Sequence, residues 1–168
     1  MSEQTPREQL IAAVMAEVAA FQDGTDEVDE AAAARLGLNR TDLRCLSILS
    51  RTGPLTAGQL ATAAGLTAGA ITTVVDRLAR AGYVQRVRDE QDRRRVTVEV
   101  TEEAAARFDE IWGPVGQASY QKLSRRSDAE LRAIREFLQE GRKLQMEHAA
   151  QIRDDATAAT STRRGADS

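Results

Sequence analysis

Cysteine and histidine occur once each in this sequence, at Cys45 and His148, and that scarcity removes several classes of function at the outset. A lone thiol cannot close an internal disulfide. The two residues lie far apart in different helical segments, so no Cys/His metal site or thiol–imidazole pair is expected from them, and with it no cofactor, metal or enzymatic centre. Aromatic residues make up 4% of the chain, too few for the stacking platforms that bind single strands or RNA loops. Charges interrupt every apolar run well short of the ~20 residues a membrane helix needs, so no membrane partner is expected. The start MSEQTPREQL has no basic patch followed by an apolar stretch, and a soluble, cytoplasmic protein is expected. Lysine is scarce too: of 23 basic residues only Lys122 and Lys143 are lysines.

What is abundant is therefore arginine, whose planar fork suits phosphates and base edges. The formal charge of −3 conceals where it sits. Residues 1–42 carry 3 basic and 9 acidic side chains, residues 43–101 carry 9 and 5, and residues 102–168 carry 11 and 12. The middle is a basic island. With 168 residues and 42% hydrophobic content, the chain is long enough to bury a core without disulfides or metal.

Most of the chain reads as helix. Leu10, Ile11, Val14, Val18 and Phe21 keep helical spacing after Pro6, a first-turn proline, and the pattern fades at Asp23-Gly24. A second, acidic, alanine-rich helix is expected over DEVDEAAAARLGL, ending near Gly37. Thr41 then caps a helix carrying Leu43, Leu46 and Leu49 as far as Thr52-Gly53-Pro54. Thr56 and Gln59 have the spacing of a capping box, opening a short helix that ends at Gly65. Thr67 caps the next, with Ile71, Val74, Val75 and Leu78 on one narrow face and Gly82 as its stop. If Gly82 is left-handed, Tyr83 packs back on Leu78. Two short helices joined by a tight glycine turn form a helix-turn-helix.

Beyond it, Tyr83-Val84 and Val87 lead into DEQDRRR, after which Val96, Val98 and Val100 alternate with polar residues. This is a β-hairpin with an arginine-bearing tip, a wing. Thr101 caps a long helix with Phe108, Ile111, Trp112, Val115 and Leu123 on one side, kinked at Pro114. Ser127 and Glu130 box the start of a last helix carrying Leu131, Ile134, Phe137, Leu138 and Leu144. The fold class is mainly α with a small β-hairpin wing: a winged helix-turn-helix plus a helical dimerisation region. Expected boundaries are 1–40 for N-terminal dimerisation helices, 41–101 for the DNA-binding domain, 102–152 for C-terminal dimerisation helices and 153–168 for a disordered tail.

Three groups of residues, Asp76-Arg77-Leu78, Gly82-Tyr83-Val84 and Asp92-Arg93-Arg94-Arg95 running to Val100-Thr101-Glu102, resemble the MarR family of winged helix-turn-helix transcriptional regulators. The order of elements is similar from about residue 6 to 150. The chain departs from the family's usual leucine at Val100 and its usual glycine at Ala104. The resemblance implies a homodimer whose first and last helices interlock, with each recognition helix in a major groove and each wing in a minor groove. It also implies that Arg94 enters the minor groove and that Asp92 orients it, although Asp92 also has Arg77 as an alternative partner.

The residues themselves point the same way. On the helix after Thr67, the face opposite Ile71 and Leu78 displays Gly69, Thr73, Asp76 and Arg80, with Thr72 and Arg77 at its edges. These, with Thr67 itself, are the expected DNA-binding residues, joined by Arg93, Arg94 and Arg95 on the wing. Gly69 costs ~1 kcal/mol relative to alanine in a helix, and close approach to DNA is a reason to keep it. Short threonines favour thymine methyls and phosphates over bidentate base reading. Phe108, Trp112 and Leu46 are expected to converge on a crevice for a lipophilic or aromatic effector. Cys45, between Leu43 and Leu46, is expected to be a buried structural thiol. The expected partners are therefore double-stranded DNA at a pseudo-palindromic operator, a second copy of the chain and a small molecule. A winged-helix module that binds protein instead of DNA is the competing reading.

Overall fold

The computed structural model describes residues 5–88 and 96–166, apart from the side chains of 154 and 156–166. In order, the elements are α1 (Pro6–Leu36), α2 (Arg40–Thr52), β1 (Leu55–Thr56), α3 (Ala57–Ala64), α4 (Ala68–Arg80), β2 (Val84–Arg88), β3 (Val96–Val100), α5 (Glu102–Leu123) and α6 (Asp128–Ala166). They divide into two compact units, one reaching to Pro114 and one starting at Val115. The first half of α5 therefore belongs with the winged helix, beyond the boundary at residue 101 that the sequence suggests.

The first unit holds the core. Leu46, Leu49, Leu60, Ile71, Val75, Leu78 and Val98 are all but sealed from solvent. Fully burying each such side chain contributes about 1.5–3 kcal/mol. The four apolar positions expected to share one face of α4 are all buried. Thr56 and Gln59 form the expected capping box, and Gly65 ends α3 with φ +66°. Thr67 caps α4, its hydroxyl accepting from the Ala70 N–H at 3.3 Å.

The end of α4 also follows the sequence. Gly82 is left-handed at φ +77°, the Gly82 N–H donates to the Ala79 carbonyl and the Tyr83 N–H to the Leu78 carbonyl. This pair of reversed bonds satisfies the last carbonyls of the helix and turns Tyr83 into the same core as Leu78.

Several boundaries differ from expectation. α1 is one helix of 31 residues, not two, and runs through Asp23-Gly24. A helix that has paid its nucleation cost extends cheaply, so the ~1 kcal/mol penalty of one glycine does not stop it. The Thr25 hydroxyl bonds back to the Phe21 carbonyl at 2.9 Å, and burial of Ala32 and Ala33 against Leu43 anchors the far end. α2 is capped by Asn39 rather than Thr41: the Asn39 side-chain oxygen accepts from the Asp42 N–H at 2.9 Å. α6 continues to Ala166, past residue 153 where a disordered tail is expected. α5 runs on as helix past Pro114 to Leu123.

The wing strands pair antiparallel, Val84 opposite Val100 through Arg88 opposite Val96. A third strand, β1, adds to the other edge of β3, with Leu55 opposite Val98. Two residues after Gly-Pro carry no periodicity, so nothing in the sequence marks them as a strand. In the second unit, Ser127 and Glu130 form the expected box: Ser127 N–H donates to Glu130 at 2.8 Å and Glu130 N–H to the Ser127 hydroxyl at 3.3 Å.

Candidate nucleic-acid interface

The outward face of α4 presents Thr67, Gly69, Thr72, Thr73 and Arg80 to solvent. The Thr72 hydroxyl donates to the Ala68 carbonyl at 3.0 Å and that of Thr73 to the Gly69 carbonyl at 3.2 Å. With their protons bonded within the helix, both threonines offer outward groups suited to a thymine methyl more than to a phosphate, which needs a donor. Gly69 lies in ordinary helix with nothing within 4 Å of where a Cβ would stand, so nothing within the chain requires a glycine there. Arg80 has no ion-pair partner among the described residues.

The other two members of this set are engaged elsewhere. Asp76 accepts from Arg86 on β2 at 2.6 Å, an ion pair whose two side chains are each about half exposed. Arg77 reaches the other way, its Nε and Nη2 binding both oxygens of Asp42 on α2. The hydrogen bonds to Asp42 hold the Arg77 guanidinium still more firmly protonated than usual. Arg77, one of the two partners open to Asp92 in the sequence, is bound by Asp42. Asp92, Arg93, Arg94 and Arg95 lie outside the described residues.

Asp42 is the residue that sequence reasoning missed. Its side chain is 2% exposed, and besides Arg77 it receives the Asn39 side-chain amide at 3.0 Å. The signal was there: Asp42, Leu46 and Leu49 follow the i, i+4, i+7 rule, which places the carboxylate in the apolar stripe of α2. A buried acid requires a paired cation, and the middle of the chain supplies one.

The hairpin and α4 are joined to α5 at Thr101. Its hydroxyl donates to the Gly82 carbonyl at 2.8 Å and accepts from the Ala104 N–H at 3.2 Å, while its own N–H donates to the Tyr83 carbonyl. Tyr83 in turn donates its hydroxyl to the Leu36 carbonyl at 2.6 Å.

Phe108 and Trp112 stack with ring centroids 4.2 Å apart and line a cavity of about 320 Å³ with Leu49, Val100 and the acids Glu99 and Asp109. Leu46, expected to line it, is sealed in the core instead, because the α2 face that meets this cavity is one turn further on, at Leu49 and Ser50. A larger cavity of about 610 Å³ lies between α1, α2 and α3 and is lined by Asp26, Asp29, Arg40, Arg44 and Arg51 among others. Cys45 is fully buried, and burial pushes its thiol pKa up, so at neutral pH it remains a protonated packing group. No group of three or more His, Cys, Asp or Glu side chains suited to a metal occurs among the described residues. No single helix among them is long and apolar enough to cross a membrane.

Known proteins share this arrangement. The MarR family model matches residues 38–96. YcgE, an HTH-type transcriptional regulator of Bacillus subtilis (strain 168), is 38% identical over 109 residues, which cover 65% of this chain and 71% of that protein. A MarR family transcriptional regulator from Silicibacter pomeroyi superposes with a TM-score of 0.58 at 26% identity, covering 83% of this chain and 93% of that one. A MarR family protein from Bacillus stearothermophilus gives 0.59 at 22% identity, covering 81% and 95%, and NadR in complex with 4-hydroxyphenylacetate gives 0.54 at 21%, covering 83% and 96%. With a capped helix-turn-helix, a paired wing and a basic middle already evident in its own residues, the chain belongs to the MarR family of DNA-binding transcriptional regulators.

Proposed function

We propose that this regulator is a homodimeric, cytoplasmic repressor that binds a pseudo-palindromic operator and leaves it when a small lipophilic or aromatic molecule is bound. The observation that carries the reading is the outward face of α4, where Thr67, Gly69, Thr72, Thr73 and Arg80 lie exposed beside a wing whose sequence holds Arg93, Arg94 and Arg95. α4 enters the major groove. On the wing, Arg94 enters the minor groove, oriented by Asp92, and Arg93 and Arg95 meet phosphates. Two-fold symmetry places half-sites about one helical turn, ~34 Å, apart.

Dimerisation is supported by apolar side chains left in solvent on both terminal helices: Leu10 and Phe21 on α1, and Phe137, Leu138 and Leu144 on α6. The effector reading rests on the Phe108–Trp112 stack, whose cavity suits an aromatic ring, and on the 4-hydroxyphenylacetate held by NadR, a protein of the same fold. Glu99 and Asp109 at the cavity favour a neutral or hydroxyl-bearing molecule over one whose anion must sit beside them.

Gel shifts on duplexes selected by the protein from random DNA test the first half. Recovery of an A·T-flanked palindrome is expected, with flank preference lost in Arg94→Ala and affinity lowered uniformly in Arg93→Ala and Arg95→Ala. Failure to enrich any sequence would favour the protein-binding alternative. Titration of 4-hydroxyphenylacetate and uncharged phenols, followed by Trp112 fluorescence, tests the second half. A panel that quenches nothing and releases no operator overturns it.

A further inference from the structure

We infer that Asp42 is a positioning residue for DNA recognition: by binding Arg77 bidentately it neutralises that arginine as a phosphate contact and fixes the angle at which α4 meets the operator. The inference rests on α4 being the recognition helix.

Two successive residues of α4 are tied to different elements. Asp76 is held by Arg86 of β2 and Arg77 by Asp42 of α2, so the helix is braced from both sides just below its exposed threonines. The two braces are unequal. The Asp76–Arg86 pair is nearly half exposed at both ends, where solvent screening leaves little net attraction. Asp42 is 2% exposed against 42% for Arg77, and its carboxylate is fully committed, with two guanidinium donors and the Asn39 amide. A fork-to-fork contact of this kind fixes orientation as well as distance, which a point charge cannot do.

The electrostatic consequence is less obvious. α4 carries two arginines, Arg77 and Arg80, on a surface that approaches a polyanion. Without Asp42 both would attract any DNA, whatever its sequence. With it, only Arg80 remains uncompensated among the described residues of that helix. The buried acid thus subtracts a sequence-blind attraction while holding the sequence-reading threonines in place, and both effects raise the ratio of specific to non-specific binding.

The test compares the full-length wild type, Asp42→Asn and Arg77→Lys on a duplex selected by the wild type and on its scrambled counterpart, by fluorescence anisotropy across a salt series. Asp42→Asn keeps the shape and the Asn39 contact but frees the Arg77 charge. It is expected to lower affinity for the selected duplex, to raise affinity for the scrambled one, and to reduce the ratio about tenfold. The slope of log K against log salt on scrambled DNA should steepen by about one per subunit. Arg77→Lys keeps the charge and loses the fork. It should reduce the ratio without raising scrambled binding as far.

A purely structural role would lower both affinities together, with an unchanged ratio and slope, and that result overturns the inference. So does an unchanged ratio in both variants. If Asp42→Asn does not fold, the ratio for Arg77→Lys, at a half-exposed position, decides alone. A wild type that selects no sequence would overturn the underlying reading of α4 instead, so the two failures are distinguishable.

Discussion

The winged-helix core and the terminal helices of this chain use apolar residues in opposite ways. In the core, Leu46, Leu60 and Leu78 are sealed on all sides, every helix start has a side-chain cap and the buried acid Asp42 has its cation. On α1 and α6, Leu10, Phe21, Phe137 and Leu144 stand in solvent, on helices whose starts are well made by boxes such as Thr5/Glu8 and Ser127/Glu130. Most of a helix's stability in a protein comes from packing its apolar face, and such a face stabilises nothing until it meets another surface. The core therefore owes its stability to packing within the chain, and on the proposed dimer the exposed faces of the terminal helices would gain theirs from association.

Mutations at the two places should separate accordingly. Leu46→Ala removes a fully buried side chain and is expected to cost about 3 kcal/mol, seen as a lower urea midpoint at every protein concentration. The double variant Phe137→Asp and Leu138→Asp should leave the core's unfolding intact and weaken the dimer about a hundredfold or more, read by light scattering over a dilution series. If the double variant instead melts the core at high concentration, the division between the two regions is wrong.

Smaller effects sharpen the contrast within the core itself. Gly82 sits at φ +77°, where a side chain is strained, so Gly82→Ala should destabilise by about 1–2 kcal/mol. Gly69 sits in ordinary helix with open space, so Gly69→Ala should stabilise by about 1 kcal/mol. If the α4 backbone comes close to DNA at that point, the same variant binds its operator more weakly despite melting higher. A variant that melts higher and binds equally well would assign Gly69 no role in recognition.

The smallest expected effect is on pH dependence. Hydrogen bonds from Thr5 hold the Glu8 pKa below its ordinary value, and those from Ser127 do the same for Glu130. A lowered carboxyl pKa means that the stabilisation is complete above the unfolded value and is lost as pH falls through the folded one. Far-UV circular dichroism should therefore show a slight loss of helix on acidification below the usual glutamate range, and Glu130→Gln should remove the part due to α6.

How far these regions were legible from sequence follows from the range of the signals. Caps, boxes and the turn at Gly82 are local, set by residues two to four apart, and Thr56, Thr67, Thr101 and Ser127 were all placed correctly. Errors arose where a local signal was overridden. Gly24 did not end α1, because cooperativity and the burial of Ala32 and Ala33 outweighed it. Thr41 lost the cap to Asn39, whose side chain exchanges bonds with Asp42 in both directions. Contacts between distant residues were invisible. Asp42 meets Arg77 across 35 positions, and β1 exists only because β3 offers it an edge. On α4, Thr67, Gly69, Thr72, Thr73 and Arg80 are exposed as the helical spacing predicts, whereas the pairing of Asp76 with Arg86 and of Arg77 with Asp42 is not visible in the sequence.

The hydrogen bond from Tyr83 to the Leu36 carbonyl bears on how this module can be cut and recombined. A boundary drawn at residue 40, just ahead of the basic middle, would leave the Tyr83 hydroxyl without its acceptor and expose the surface that Ala32 and Ala33 cover. The last two turns of α1 must therefore travel with the winged helix in any shuffled or truncated protein. Because the acceptor is a main-chain oxygen, the side chain at position 36 is free to drift with respect to that bond. What has to be inherited is a helix that ends in the right place, ahead of Gly37.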